Sequence, residues 1–177
     1  MNRMPVRKTV NPGTVLETKR LRLRTFRTSD LAGLFELYRD PEIRRYFPDG
    51  TRTYEQTREE LEWFSRGEPL SLWATELKEN DTFVGRCGLL PWTIEGRNEV
   101  EVAYMIGTPW QRRGLATEAA CALVRLAFET LGLRRIIALI DPAHAESIAV
   151  ARRAGLSYER DVFFDGVNSA IYAVGRP

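Results

Sequence analysis

The stretch Gln111-Arg112-Arg113-Gly114-Leu115-Ala116-Thr117 decides how this chain is read. It stands between an apolar, strand-like run, Val100–Ile106, and the most regular amphipathic segment of the sequence. In that segment Leu115, Ala119, Ala122, Leu123, Leu126 and Ala127 recur at helical spacing, so a helix is expected over Gly114–Thr130. The first N–H groups of such a helix have no partner inside it, and the macrodipole places partial positive charge there. Gly114 lets a ligand approach the backbone closely. Arg112 and Arg113 add donors, and a pyrophosphate fits the resulting cradle. Neither GxxxxGK[ST] nor GxGxxG is present, so the usual nucleoside-triphosphate and dinucleotide loops are absent. On these residues alone a second reading stands beside the first: Gly114 only shapes a turn and the arginines are solvated.

Upstream of that loop the apolar period is two. Leu72–Leu77 and Thr82–Leu90 read as strands joined at Glu79–Asn80–Asp81, and the turn Glu95–Gly96–Arg97–Asn98 leads into Val100–Ile106. Earlier still, Leu16, Leu21, Leu23 and Phe26 among Arg and Lys read as one first strand. Thr28, Ser29 and Asp30 offer N-cap chemistry for a helix. Pro41 suits the first position of a second helix, and Thr53 opens a third that Gly67 and Pro69 stop. Downstream, Arg135–Ile140 is a continuous apolar run, as in a buried strand. Ser147–Ala154 is a short helix closed by Gly155, and Tyr158–Phe164 with Ala170–Val174 forms a hairpin around Asp165–Gly166–Val167–Asn168. The order gives an α/β protein: a single mixed, mostly antiparallel sheet of about seven strands with helices on both faces. Residues 1–14 read as a lead-in and 15–177 as a single domain.

The bulk numbers agree. The 177 residues suit one domain, and 44% hydrophobic residues suffice for a core. Twenty-six Lys and Arg against 24 Asp and Glu leave a net charge of +2, which argues against a general footprint for nucleic acid or anionic membrane. No run approaches the ~20 apolar residues that cross a bilayer. Two cysteines, Cys87 and Cys121, without CxxC spacing fit a reducing compartment, and a lone histidine, His144, builds no His-rich metal site. Residues 1–14 are polar and basic and no apolar segment of a secretory leader follows, so a cytoplasmic location is expected.

The pattern Gln-x-x-Gly-x-Ala over residues 111–116 resembles the acetyl-CoA pyrophosphate motif of the GCN5-related N-acetyltransferase (GNAT) superfamily. Glu101-Val102-Ala103-Tyr104-Met105-Ile106, Gly114-Leu115-Ala116-Thr117-Glu118-Ala119 and Ala154-Gly155-Leu156 stand in that superfamily's order and spacing. The opening LETKRLRLRTFRTSDLAGLFELYRDPEIRRYF resembles the branch that includes acetyltransferases of ribosomal-protein N-termini and some antibiotic acetyltransferases. The resemblance covers about residues 14–176.

It implies transfer of an acetyl group from acetyl-CoA to a primary amine, on a protein N-terminus or a small molecule, by direct attack in a ternary complex. It also implies a sheet whose central strands splay, the one ending at Met105–Ile106 parting from Arg135–Ile140, with pantetheine bonded to backbone in the gap. Backbone N–H groups from Arg112 through Thr117, in the loop opened by Gln111, would hold the pyrophosphate. Ser147 matches the serine of an Asn-x-x-Ser motif and is implied as the acid for the leaving thiolate. The Asn of that motif is His144 here, whose imidazole cannot copy an amide's donor–acceptor pair at the cofactor.

Glu101, on the strand leading to the gap, takes an acidic position of the family and is expected as general base; the plainer reading is a satisfied strand carboxylate. For Ser147 the plainer reading is a helix cap, and Tyr158 is the reserve hydroxyl. A covalent cysteine route has no activating feature near Cys87 or Cys121. Tyr46, Phe47, Trp63, Phe64, Trp73, Trp92 and Trp110 are expected around the acceptor side, most of them as core. No metal, direct nucleic-acid contact or membrane contact is expected, and the protein reads as a monomer or homodimer. The rival reading is a non-catalytic acyl-CoA-binding or partner-binding module.

Overall fold

A computed structural model describes residues 13–66 and 68–176. Among these residues eight strands form one sheet in the order β1-β2-β3-β4-β5-β6-β8-β7. They are β1 (Thr14–Glu17), β2 (Leu21–Arg24), β3 (Leu72–Leu77), β4 (Phe83–Ile94), β5 (Arg97–Ile106), β6 (Arg135–Ile140), β7 (Ser157–Phe164) and β8 (Val167–Gly175). Every neighbouring pair is antiparallel except β5 and β6. Of the expected lead-in, only Gly13 and Thr14 lie among the described residues, and Thr14 already opens β1.

The eighth strand comes from the front end, where one strand was expected. The chain reverses at Thr18–Lys19–Arg20 without Gly, Pro or Asn. Thr18 makes the turn itself: its N–H donates to the Leu21 carbonyl at 2.9 Å, and its hydroxyl accepts the Leu21 N–H at 2.9 Å. The β4–β5 hairpin is longer than its apolar pattern suggests, because its turn is two residues. Glu95 and Gly96 both have positive φ, 49° and 77°, the requirement of a type I′ turn.

Among the described residues five α-helices cover the two faces: α1 (Leu31–Arg39), α2 (Pro41–Arg44), α3 (Tyr54–Phe64), α4 (Leu115–Arg125) and α5 (Ala145–Arg153). Their starts obey local rules. Asp40 caps α2 by accepting the Glu42 N–H, with Pro41 next to it. Thr53 and Gln56 form a capping box on α3. The α3 helix ends at Phe64, and Gly67, the expected stop, lies outside the described residues. The α4 helix continues into one π turn, Leu126–Thr130, marked by the Leu131 N–H bonding to the Leu126 carbonyl.

The α4 and α5 helices pack with Leu21, Leu23, Leu89, Val102, Ile136 and Ala138 in the main core. The α1–α3 helices pack on the opposite face around Phe26, Leu34, Tyr38, Ala74 and Met105. A third cluster on that same side, with Ile94, Ile137, Val162 and Ile171 at its centre, lies under β7 and β8. Between the second and third clusters runs a strip of β5. That strip carries Glu101.

Candidate active site

The parallel pair β5–β6 shares a single register position, Glu101 with Ile137, whereas β6 and β8 pair at six positions. Beyond Glu101, β5 runs on to Ile106 with its β6-side edge unpaired, so the strands part there. The open edge leads directly to the loop before α4.

At that loop the Gln111 side chain turns back and its amide N–H donates to the Ile106 carbonyl at 2.9 Å, tying the loop to the end of β5. Arg112 and Gly114 both take positive φ, 59° and 74°. Left-handed residues alternating with ordinary ones gather N–H groups into an anion-binding concavity. Glu118 is the first residue of α4 to close a helical bond, to the Gly114 carbonyl, and no side chain caps the helix. The N–H groups of Leu115, Ala116 and Thr117 therefore have no intrahelical partner. Gly114, Arg112 and Arg113 are exposed beside them, while Leu115 anchors the helix in the core.

A second set of contacts, which sequence reasoning missed, clamps this loop from the β1–β2 turn. Glu118 accepts hydrogen bonds from the Thr18 hydroxyl at 2.6 Å, the Arg20 N–H at 2.8 Å and the Arg20 guanidinium at 2.6 Å. The same guanidinium donates to the Arg113 carbonyl at 2.8 Å. A third arginine thus stands at the loop with Arg112 and Arg113. An acid in the first turn of a helix is legible in the sequence; its partners about a hundred residues away are not.

Glu101 points to the α1–α3 face and is partly exposed. The Trp92 indole N–H donates to its carboxylate at 2.6 Å. Burial pushes its pKa up, opposed by the Trp92 hydrogen bond, the Leu139 backbone and the charge of Arg86. Trp92 is thus a partner of the expected base.

Ser147 lies in the first turn of α5 on the other face, and its hydroxyl donates to the Tyr104 oxygen at 3.2 Å. The Tyr104 phenol donates in turn to the Ser147 carbonyl at 2.9 Å. Burial raises Tyr104 to about 12. The hydroxyl beside Ser147 is therefore Tyr104, whereas Tyr158 is exposed on β7 with its ring against Tyr172. Alternation along β5 put Tyr104 on the Ser147 side, but only the placement of α5 identifies it.

His144 precedes α5 without capping it by its side chain. Its ring stacks on Tyr46 with centroids 4.0 Å apart and planes 15° from parallel, joining the segment after α2 to the segment after β6. Burial lowers its pKa and so favours the neutral ring. Among the other aromatics, Trp73 and Trp110 pack with the α4–α5 core and not on the acceptor side. Cys87 is fully buried, its thiol pushed up to about 11, which suits packing and not nucleophilic attack.

The open edge of β5 and the uncapped start of α4 thus lie on one path, with Glu101 where the strands part. Residues 20–157 match the acetyltransferase (GNAT) domain. The chain belongs to the GNAT acetyltransferase family. The protein YkkB of Bacillus subtilis is 36% identical over 157 residues, spanning 86% of this chain and 91% of its own. The crystal structure of a GNAT-family acetyltransferase from Bacillus anthracis superposes with a TM-score of 0.78 at 23% identity, covering 90% of this chain and 96% of that one. The structure of AAC(6')-Ib in complex with paromomycin and acetyl-CoA shares the fold at a TM-score of 0.73 and 18% identity, over 88% and 93% of the two chains.

Proposed function

We propose that this N-acetyltransferase binds acetyl-CoA with its pyrophosphate on the Arg112–Thr117 backbone and its thioester arm along the open edge of β5. There it acetylates a primary amine presented over Glu101. The observation that carries this is the coincidence of two unused donor sets on one path: the N–H groups at the start of α4 and the unpaired edge of β5. Arg20, Arg112 and Arg113 add positive charge where phosphates would lie. The thioester supplies an activated acyl carbon and a thiol leaving group; the rest falls to the chain's own residues.

A protonated amine must lose a proton before it attacks. Glu101 has the face, the partial exposure and the raised pKa to accept that proton, directly or through one water. Unpaired N–H groups on β5 would stabilise negative charge developing on the carbonyl oxygen. Ser147, turning its one proton from the Tyr104 oxygen, would donate it to the departing sulfur from the opposite face. The acceptor class is a small-molecule amine or a protein N-terminus, the working unit is the single domain over residues 15–177, and the setting is the cytoplasm, where Cys87 and Cys121 stay reduced.

The test is calorimetry of acetyl-CoA binding followed by thiol release across amines and peptides. Micromolar binding with acceptor-dependent release is expected. Binding without release for any acceptor would leave the acyl-CoA-binding module standing instead.

A further inference from the structure

Arg86 on β4 is only 8% exposed, and its Nε is buried without a hydrogen-bond partner. Among the described residues it has no carboxylate within ion-pair distance. The neighbouring cations have carboxylate partners, although Arg52 Nε is also buried without one: Arg44 and Arg52 both pair with Asp49, and Arg52 also with Glu60 at 2.9 Å. Arg86 has only the face of Tyr38, its guanidinium carbon 5.3 Å from the ring centroid, and the Tyr38 hydroxyl is itself buried without a partner. A cation–π contact returns part of what burial costs a guanidinium, but leaves its donors unused. Such a group calls for a partner that the described residues do not supply.

Its position says what that is. In the β4–β5 ladder Arg86 stands opposite Met105, Gly88 opposite Ala103 and Leu90 opposite Glu101. These pairs share one face. Arg86 and Glu101 therefore stand on the same acceptor-side surface, separated along it by the small residues Gly88 and Ala103, about 13 Å from root to root at about 3.3 Å per residue. The charge of Arg86 is felt at the Glu101 carboxyl. A cation with spare donors and an anion with partial exposure face one strip of sheet.

We infer that the acceptor is a small amine carrying a carboxylate, its amine over Glu101 and its carboxylate on the guanidinium of Arg86. Arg86 is then the residue that selects the acceptor, by the planar two-donor match between guanidinium and carboxylate. This rests on the acetyl-transfer reading and names its substrate class.

The experiment uses matched pairs: β-alanine with β-alaninamide, 4-aminobutyrate with its amide, and acidic against neutral N-terminal peptides. With the whole protein and saturating acetyl-CoA, the acid of the best chain length should exceed its amide at least tenfold in kcat/KM, mostly through KM. The ratio should fall to near one in Arg86→Met and stay several-fold in Arg86→Lys, with folding of each variant checked by thermal melting. In parallel, calorimetry of the same acids into the CoA-loaded protein should show binding that Arg86→Met weakens at least tenfold. Carboxylate binding that depends on Arg86 without turnover of any amine overturns the acetyl-transfer reading but keeps the site. Turnover with equal rates for acid and amide, an acid preference unchanged in Arg86→Met, or a preference confined to acidic peptides overturns the inference.

Discussion

Tyr104 and Ser147, 43 residues apart in sequence, hold each other through two hydrogen bonds: phenol to carbonyl at 2.9 Å and serine hydroxyl to phenol oxygen at 3.2 Å. The pair joins the open strand β5 to the start of α5. Because the Tyr104 proton is committed to a carbonyl, the phenol acts on Ser147 as an acceptor and orients it. Ser147→Ala should lower kcat about 10- to 100-fold, within the range of acid–base contributions, with acetyl-CoA affinity nearly unchanged. Tyr104→Phe should lower it less, and the two losses should not add in the double variant, as for residues acting through one contact. Steady-state kinetics on the three proteins checks this, and additive losses would separate the roles.

Glu101 makes a prediction with a sign. Burial raises its pKa and the Trp92 N–H lowers it. Trp92→Phe removes a stabiliser of the charged form, so the pKa must rise further and the acidic limb of the kcat/KM profile must move to higher pH. Glu101→Gln should abolish that limb. A profile that stays put in both variants takes Glu101 out of the chemistry.

Gly114 sits at φ 74°, and a Cβ there would meet only the Arg20 guanidinium, at an ordinary contact distance of 3.6 Å. A substitution there is therefore opposed by backbone conformation and not by crowding. Gly114→Ala should cost about 1–2 kcal/mol for left-handed backbone, and because the loop relaxes to avoid it, acetyl-CoA affinity should fall about tenfold. Calorimetry on the free and CoA-titrated variant separates the two effects.

The α4 helix and its loop are legible in the sequence because everything that makes them is local: helical periodicity, one glycine and an uncapped start. The strands follow from period two. What escapes is of two kinds. The Thr18–Arg20 turn is made by a threonine side chain and lacks the residues that signal turns, so two strands read as one. Trp73 was misplaced because β3 is buried at all six positions, which leaves no alternation to tell its faces apart. In the site, Glu101 and Ser147 are readable as types in a pattern. Their partners Trp92 and Tyr104, the Arg20–Glu118 clamp and the lone Arg86 depend on which segments the fold brings together.

A buried network near the front of the sheet predicts where stability is concentrated. Arg24 donates two hydrogen bonds to Asp30, at 2.7 and 2.8 Å, and one to Glu76 at 2.8 Å, and all three side chains are nearly inaccessible. Asp30 also accepts the Arg27 N–H at 2.7 Å, so the pair anchors the entry to α1. Removing one member leaves uncompensated buried charge. Arg24→Met should destabilise by about 3–5 kcal/mol, a fall in Tm of roughly 10 °C for a domain of this size, read by calorimetric melting. A loss under about 1 kcal/mol would mean that the network is wetter than its geometry indicates.

His144 is the sole histidine of the chain, so its imidazole gives one isolated proton NMR signal in tag-free protein. Stacking on Tyr46 shields the ring, and burial disfavours its charged form. The titration midpoint should therefore lie below the usual 6.5 in the wild type and move up toward it in Tyr46→Ala, where the ring is opened to water. The same signal reports on the cofactor. His144 stands directly before the helix that holds Ser147. If acetyl-CoA displaces Tyr46 to reach the cleft, titrating it into the wild type should move the midpoint upward and weaken the ring-current shift, as the substitution does. If the cofactor instead covers the stack, the midpoint should move further down. A signal unchanged at saturating acetyl-CoA would place His144 outside the cofactor site and leave the Tyr46 stack as a purely structural bridge between the acceptor-side helices and α5.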